Sequence, residues 1–186
     1  KKDFSDDYRG LRSIYCIRNI KKIIEMGNLK KRNIRILDFG CGDGKLKQML
    51  GNKVTNYDIR DNVSEIQDWK EAKFDTIVIH QVFYLFEEKQ LRVFLEELYK
   101  INPNVEVIVG ISRQSFLNKI LNIINFVWDA YVDGKLKPKE ELSILKERLT
   151  IIKKTSNLCF NDIYLMKFRK DINQRKNSLG FSILKH

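Results

Sequence analysis

Asp38-Phe39-Gly40-Cys41-Gly42-Asp43-Gly44 places an acid and three alternating glycines at the end of a short apolar run, Ile34-Arg35-Ile36-Leu37. Glycine lets a backbone turn sharply and approach a ligand closely, because no Cβ intervenes. A plain strand-to-helix turn needs fewer than three. Asp58 follows Asp38 by twenty residues and closes the next apolar run, where a carboxylate can accept hydrogen bonds from two ribose hydroxyls. Ile59 adjoins it on the same edge. Asp68-Trp69 pairs a carboxylate, suited to an amino group of adenine, with an aromatic face for its ring; a surface acid beside a core tryptophan is the other reading. His80 is the one histidine near these residues. With an unperturbed pKa of about 6.5 it could take a proton, or it could pack and hydrogen-bond without moving one.

The glycine spacing separates ligand classes. A dinucleotide fingerprint reads G-x-G-x-x-G/A, with a helix N-terminus facing a pyrophosphate. Here the sixth position is Lys45, and Asp38 precedes the first glycine by two residues. A carboxylate there repels pyrophosphate but suits a ligand carrying an ammonium and a sulfonium. The pattern therefore favours an aminoacyl nucleoside. No Gly-Lys-Ser/Thr follows at the spacing of a nucleotide-hydrolase phosphate loop.

Strands and helices must hold these residues at one edge of a sheet. Apolar residues at 11, 14, 17, 20 and 24 keep helical spacing and stop at Gly27-Asn28. Strands are predicted over 34–39, 53–59 and 74–79 and from Val105 to Ile111, with a weak further strand before Asp68. Helices are predicted over 45–50 and around Leu91, Phe94, Leu95 and Leu98. From Phe116 to Tyr131 a broad apolar face at helical spacing reads either as a cap over a substrate or as a helix packed on the sheet. A helix after Pro138 and two strands, 150–155 and 162–169, close the chain, and the short connection makes that pair antiparallel. Strands alternating with helices imply an α/β domain with a mainly parallel sheet. We expect one domain over 1–186: an N-terminal helix (1–33), a ligand-binding core (34–112), a helical cap (113–138), a closing helix and strand pair (139–170) and an unassigned tail (171–186).

Composition bounds the partners. At 186 residues, 43% apolar and 11% aromatic, the chain can bury one core. The apolar stretch from Phe116 to Trp128 is interrupted by Asn118, Lys119, Asn122 and Asn125, and is shorter than the roughly 20 residues of a membrane span. Cys16, Cys41 and Cys159 have no paired spacing, so neither disulfides nor a metal site is expected. With no leader pattern at the start, a reducing, cytoplasmic setting follows as the expectation. Cys41 reads as a small buried residue rather than a reactive thiol. The net charge of +11 comes from 24 Lys and 11 Arg spread along the chain. Nucleic-acid recognition leans on arginine, so a solvated surface is favoured over a nucleic-acid partner.

Ile36 to Gly44, with Asp58, Asp68-Trp69 and Phe74-Asp75-Thr76-Ile77-Val78-Ile79-His80, resembles the class I S-adenosylmethionine-dependent methyltransferases over roughly Tyr8 to Lys170. The resemblance implies a Rossmann-like, seven-stranded, mainly parallel sheet with an antiparallel last strand and helices on both faces. It implies S-adenosylmethionine as cofactor, S-adenosylhomocysteine as product, and a cofactor site made of Asp38, Gly40, Cys41, Gly42, Gly44, Asp58, Ile59, Asp68, Trp69 and His80. His80 would border the transferred methyl group and is the candidate catalytic residue. Tyr84 and Phe116 would touch the substrate, while Tyr8 and Arg12 could close over the cofactor's carboxylate.

The chain departs from the pattern at Asn102-Pro103-Asn104, where Pro-Gly-Gly is usual. It also lacks the Asn/Asp-Pro-Pro-Tyr/Phe of base and glutamine methylation. His80-Gln81-Val82-Phe83 resembles the small-molecule branch, so a small-molecule methyltransferase is the expectation. An RNA or protein methyltransferase, favoured by charge alone, and a non-catalytic binding module are the alternatives.

Overall fold

The computed structural model describes residues 11–113, 134–157 and 161–170. Helix α1 spans Leu11–Met26 and ends where Asn28 takes φ of 49°, with Gly27 and Leu29 donating back to the carbonyls of Ile23 and Ile24. Strand β1 (Ile36–Phe39) is buried at every position and leads through the glycine loop into α2 (Lys45–Leu50). Then come β2 (Val54–Tyr57), β3 (Thr76–His80), α3 (Glu88–Ile101) and β4 (Glu106–Ser112). Helix α4 (Pro138–Arg148), β5 (Leu149–Asn157) and β6 (Asn161–Phe168) complete the described elements.

The strands form one six-stranded sheet in the order β2-β1-β3-β4-β6-β5. β1 to β4 run parallel, and β6 inserts antiparallel between β4 and β5. Sequence-distant β4 and β6 pair in a continuous register from Glu106↔Lys167 to Ser112↔Asn161.

Alternation along the strands divides the core in two. Leu37, Phe39, Ile77, Ile79, Val107 and Val109 face α3 and α4, whose Leu91, Phe94, Leu95, Leu98, Ile144 and Leu145 cover them. Ile36, Val54, Val78, Ile108, Ile163 and Leu165 face the other way, onto Ile20 and Ile23 of α1 and Leu46 of α2. Helices on both faces of a largely parallel sheet exclude water from it, which is what the near-continuous apolar strands require.

The expected seventh strand, before Asp68, does not form among the described residues. Val63 and Ser64 instead donate to the Arg60 carbonyl, and Glu65 donates to the Asn56 carbonyl. Asp61-Asn62-Val63-Ser64-Glu65 is rich in turn formers and has no alternating apolar set, so β2 is left as the sheet edge. The Phe116 to Tyr131 segment expected as a cap, the tail from 171, Tyr8 and the side chain of Arg12 lie outside the described residues. No helix among the described residues is long and apolar enough to cross a membrane.

Candidate functional site

From β1 the chain passes to β2 on one side and then to β3 on the other. Strand order reverses there, which marks the carboxyl ends of β1 and β3 as the place where open α/β sheets form the crevice that binds ligands. Asp38, Gly40, His80 and Gln81 all lie at this edge.

The loop after β1 is built on left-handed backbone. Gly40, Gly42 and Gly44 take φ of 76°, 55° and 64°, a region costly for residues with a Cβ. Packing adds to the demand at two of them. A Cβ on Gly40 would lie 2.3 Å from Cγ2 of Val82, and one on Gly44 would lie 2.9 Å from Nδ2 of Asn56. Around Gly42 the nearest such atom is Nη2 of Arg60, at 4.0 Å, so this glycine is the one with open space over its backbone. The loop is pinned to β2: the amides of Gly40 and Cys41 both donate to the Tyr57 carbonyl, at 2.8 and 3.1 Å.

Asp38 is buried with 5% of its surface exposed, and among the described residues no group donates to its carboxylate. Burial first, and then the negative charge of Asp58, push its pKa up to about 7. Its register partner on β2 is Asn56. Both stand two residues beyond Ile36 and Val54 and so share their α1-facing side. The Oδ1 of Asn56 is also buried without a partner. Two adjacent buried acceptors, one of them a carboxylate, lack donors at the mouth of the crevice. Unpaired buried polar groups are costly, and a ligand with several N–H donors and a positive charge would relieve both.

Asp58 follows β2 directly. One of its oxygens accepts from the Gly42 amide at 3.0 Å, and both engage Arg60, through Nε at 3.0 Å and Nη2 at 3.2 Å. Burial alone would raise its pKa, but the hydrogen bonds from Arg60 and Gly42 hold it below the usual carboxylate range. Asp58 is therefore an ionised acceptor whose present occupant is the half-exposed guanidinium of Arg60. Ile59, next in sequence, is 86% exposed, an unusual position for a large aliphatic side chain on this edge.

The remaining candidates divide. Cys41 is buried with Sγ 3.7 Å from the Val63 carbonyl, and burial, aided by Asp38 and Asp58, pushes its pKa to about 12, so it stays a thiol. Asp68 starts a 3-10 turn by accepting from the Lys70 amide at 3.0 Å. Trp69 lies buried, edge-on to Phe39 at 5.8 Å and tilted against Phe94 at 4.9 Å. Tyr84 sits in the turn after β3, where its carbonyl accepts from the amides of Lys135 and Leu136. Phe116 lies outside the described residues.

His80 ends β3, opposite Gly110 on β4. Burial lowers its pKa to about 4, so the imidazole is neutral at physiological pH. Its Nε2 lies 3.2 Å from Nδ2 of Asn161, a fully buried residue at the start of β6.

Three residues that matter here escaped the sequence reading. Gly110, inside Val107-Ile108-Val109-Gly110-Ile111, carried a signal, since glycine inside a β-branched strand marks a close approach. Arg60 carried a weaker one as a cation two residues from Asp58. Asn161 carried none.

No protein-family model matches the chain, and no curated protein matches it. Solved structures do share its fold. The PH0226 protein of Pyrococcus horikoshii superposes with a TM-score of 0.64 at 15% identity, over 88% of this chain and 94% of that one. A putative type 11 methyltransferase of Sulfolobus solfataricus does so with a TM-score of 0.59 at 18% identity, over 82% and 93%. Human N-acetylserotonin methyltransferase, in complex with S-adenosylmethionine, gives 0.52 at 13% identity, over 91% of this chain and 60% of that one. The chain has the fold of methyltransferases.

Proposed function

We propose that the protein is an S-adenosylmethionine-dependent methyltransferase acting on a small-molecule acceptor. The observation that carries this reading is Asp38: a buried carboxylate without a donor, beside the unpartnered Oδ1 of Asn56, under a loop of three left-handed glycines. That arrangement fits an ammonium and a sulfonium and disfavours a phosphate. The shared fold with methyltransferases supports it, and the name of human N-acetylserotonin methyltransferase, one of them, specifies a small acceptor.

In this reading Asp38 and Asn56 hold the ammonium of the methionyl portion, and the backbone of Gly40 to Gly44 lies along it. Asp58 takes the ribose hydroxyls, with Arg60 giving way or sharing the carboxylate. Ile59 covers one face of the adenine. Asp68 accepts from the adenine amino group through the oxygen that Lys70 leaves open, and buried Trp69 backs that wall. Bound there, S-adenosylmethionine would supply an electrophilic sulfonium methyl group, with the thioether sulfur as the leaving group for the acceptor's lone pair. The chain's own task is to align acceptor and methyl carbon and to exclude water. His80 borders the transfer point as a neutral ring, and Tyr84 shapes the acceptor pocket.

Calorimetry with S-adenosylhomocysteine tests the reading on the wild-type chain. Saturable one-to-one binding that weakens strongly in Asp58→Ala supports it. A folded sample that takes up no S-adenosylhomocysteine excludes it and leaves a binding module on a methyltransferase fold.

A further inference from the structure

The ring of His80 is held from two directions. A Cβ on Gly110 would lie 2.4 Å from its Cδ2, so the imidazole lies directly over the β4 backbone. Asn161 meets its Nε2 across the β4–β6 pairing. The Oδ1 of Asn161 already accepts twice, from Nε2 of Gln81 at 3.2 Å and from Oγ of Ser112 at 3.1 Å. Nε2 of Gln81 also donates to the Ser112 hydroxyl at 3.1 Å. Gln81 is itself fixed, with φ of 56° and its amide donating to the Gly110 carbonyl at 2.9 Å.

An amide whose oxygen is taken by two donors turns its NH2 toward the remaining neighbour, and NH2 cannot accept. The imidazole nitrogen facing it must then hold the lone pair. A neutral imidazole carries one proton, so that proton sits on Nδ1. Among the described residues Nδ1 has no hydrogen-bond partner.

We propose that Asn161 is a positioning residue that fixes His80 as the Nδ1–H tautomer, leaving at the site a hydrogen-bond donor and no free basic nitrogen. His80 then serves as a donor to an oxygen of the bound acceptor and does not abstract its proton. The acceptor class narrows accordingly. Its nucleophile arrives with a lone pair already available, as in a neutral amine or an ionised hydroxyl, and carries a neighbouring oxygen for the Nδ1–H. The lone pair forms the new bond to carbon as the C–S bond breaks, and no proton passes to His80.

The role at the transfer point rests on the proposed function; the tautomer does not, and it is measured without cofactor. The chain has two histidines, His80 and His186, so imidazole 15N spectra are readily assigned with His186→Gln. At pH 7 the wild-type spectrum should show a protonated Nδ1 and a bare Nε2 at His80. A protonated Nε2 would mean that the Gln81 and Asn161 amides are both turned over, and it overturns the proposal. In Asn161→Asp, whose carboxylate can only accept from the ring, the proton should move to Nε2. An Asn161→Asp protein that folds and keeps Nδ1–H shows that Asn161 does not set the tautomer. If that variant does not fold, the wild-type spectrum still decides. The Nδ1–H tautomer without S-adenosylhomocysteine binding would sink the methyltransferase reading alone, and binding with the opposite tautomer would sink this one alone.

Discussion

The β4 strand has no side chain where His80 crosses it: Gly110 faces His80 in register, and a methyl group there would lie 2.4 Å from the ring. Gly110→Ala should therefore push the imidazole off β4 and away from Asn161. Overpacking of this kind costs about 1–3 kcal/mol, read as a lowered thermal midpoint. The His80 ring resonances should shift with it. An unchanged midpoint with unchanged resonances would mean that the ring does not rest on Gly110.

Asp38→Asn separates stability from binding. At pH 8 the wild-type carboxylate is ionised and without a donor, so the neutral amide should stabilise the free protein by about 1–3 kcal/mol. Affinity for S-adenosylmethionine should fall at least roughly tenfold, since a buried carboxylate favours an opposite charge close to it. Calorimetry and thermal melts on the same samples give both numbers. A variant that binds as tightly as wild type places the cofactor's ammonium elsewhere.

Asp58 and Arg60 should respond oppositely. Asp58→Ala removes the proposed ribose acceptor and the anchor for the Gly42 amide, and should weaken S-adenosylhomocysteine binding by roughly tenfold or more. Arg60→Ala removes the guanidinium that occupies the carboxylate and should leave affinity unchanged or improved. A matching loss in both variants would assign Arg60 a direct contact with the ligand.

The pH dependence of stability should contain two opposing slopes. Burial lowers His80 to about 4, so its contribution is present above the unfolded value of about 6.5 and is lost as pH falls toward 4. Asp38 is raised to about 7, so its contribution is present below the unfolded value and is lost as pH rises through 7. Between those limits the two offset each other, each by up to about 1.4 kcal/mol per pH unit. Asp38→Asn should expose the His80 slope as stability that rises from pH 4 to 6.5, and His80→Gln should expose the reverse. Denaturant titrations at several pH values show whether either slope exists.

Trp69→Phe asks which side of the wall the indole serves. Packed on Phe39 and Phe94, the ring is mainly core, and its reduction should lower stability by about 1–3 kcal/mol. Cofactor affinity should change only a few-fold. A large loss of affinity with little loss of stability would put the indole face on the adenine.

The glycine loop was legible because its chemistry is local: Asp38 and the spacing of Gly40, Gly42 and Gly44 are dictated by backbone conformation within seven residues. β1, α2, β3, α3 and β4 were legible because each has one apolar period. The weak strand expected before Asp68 does not form, since Asp61 to Gln67 has neither the β-branched content nor the alternation of the strands around it. For Trp69 the sequence leaves a ligand face and a core ring both open, because nothing local reveals that Phe94, on α3, lies against it. Asn161 was invisible for a topological reason. It stands 81 residues from His80, and no pattern in either segment says that β6 slips between β4 and β5.

That insertion has a consequence for synthesis. Among the described strands β5 pairs only with β6, and β6 alone joins it to β4. A chain emerging from the ribosome therefore makes β5 before it has any place in the sheet, and the edge closes only when Phe168 has cleared the exit tunnel. The residue that arrests the His80 ring comes with that last strand. Chains truncated before Asn161 carry every residue of the glycine loop, yet they lack the one that meets Nε2 of His80, so that loop is synthesised well before its neighbouring imidazole can be held.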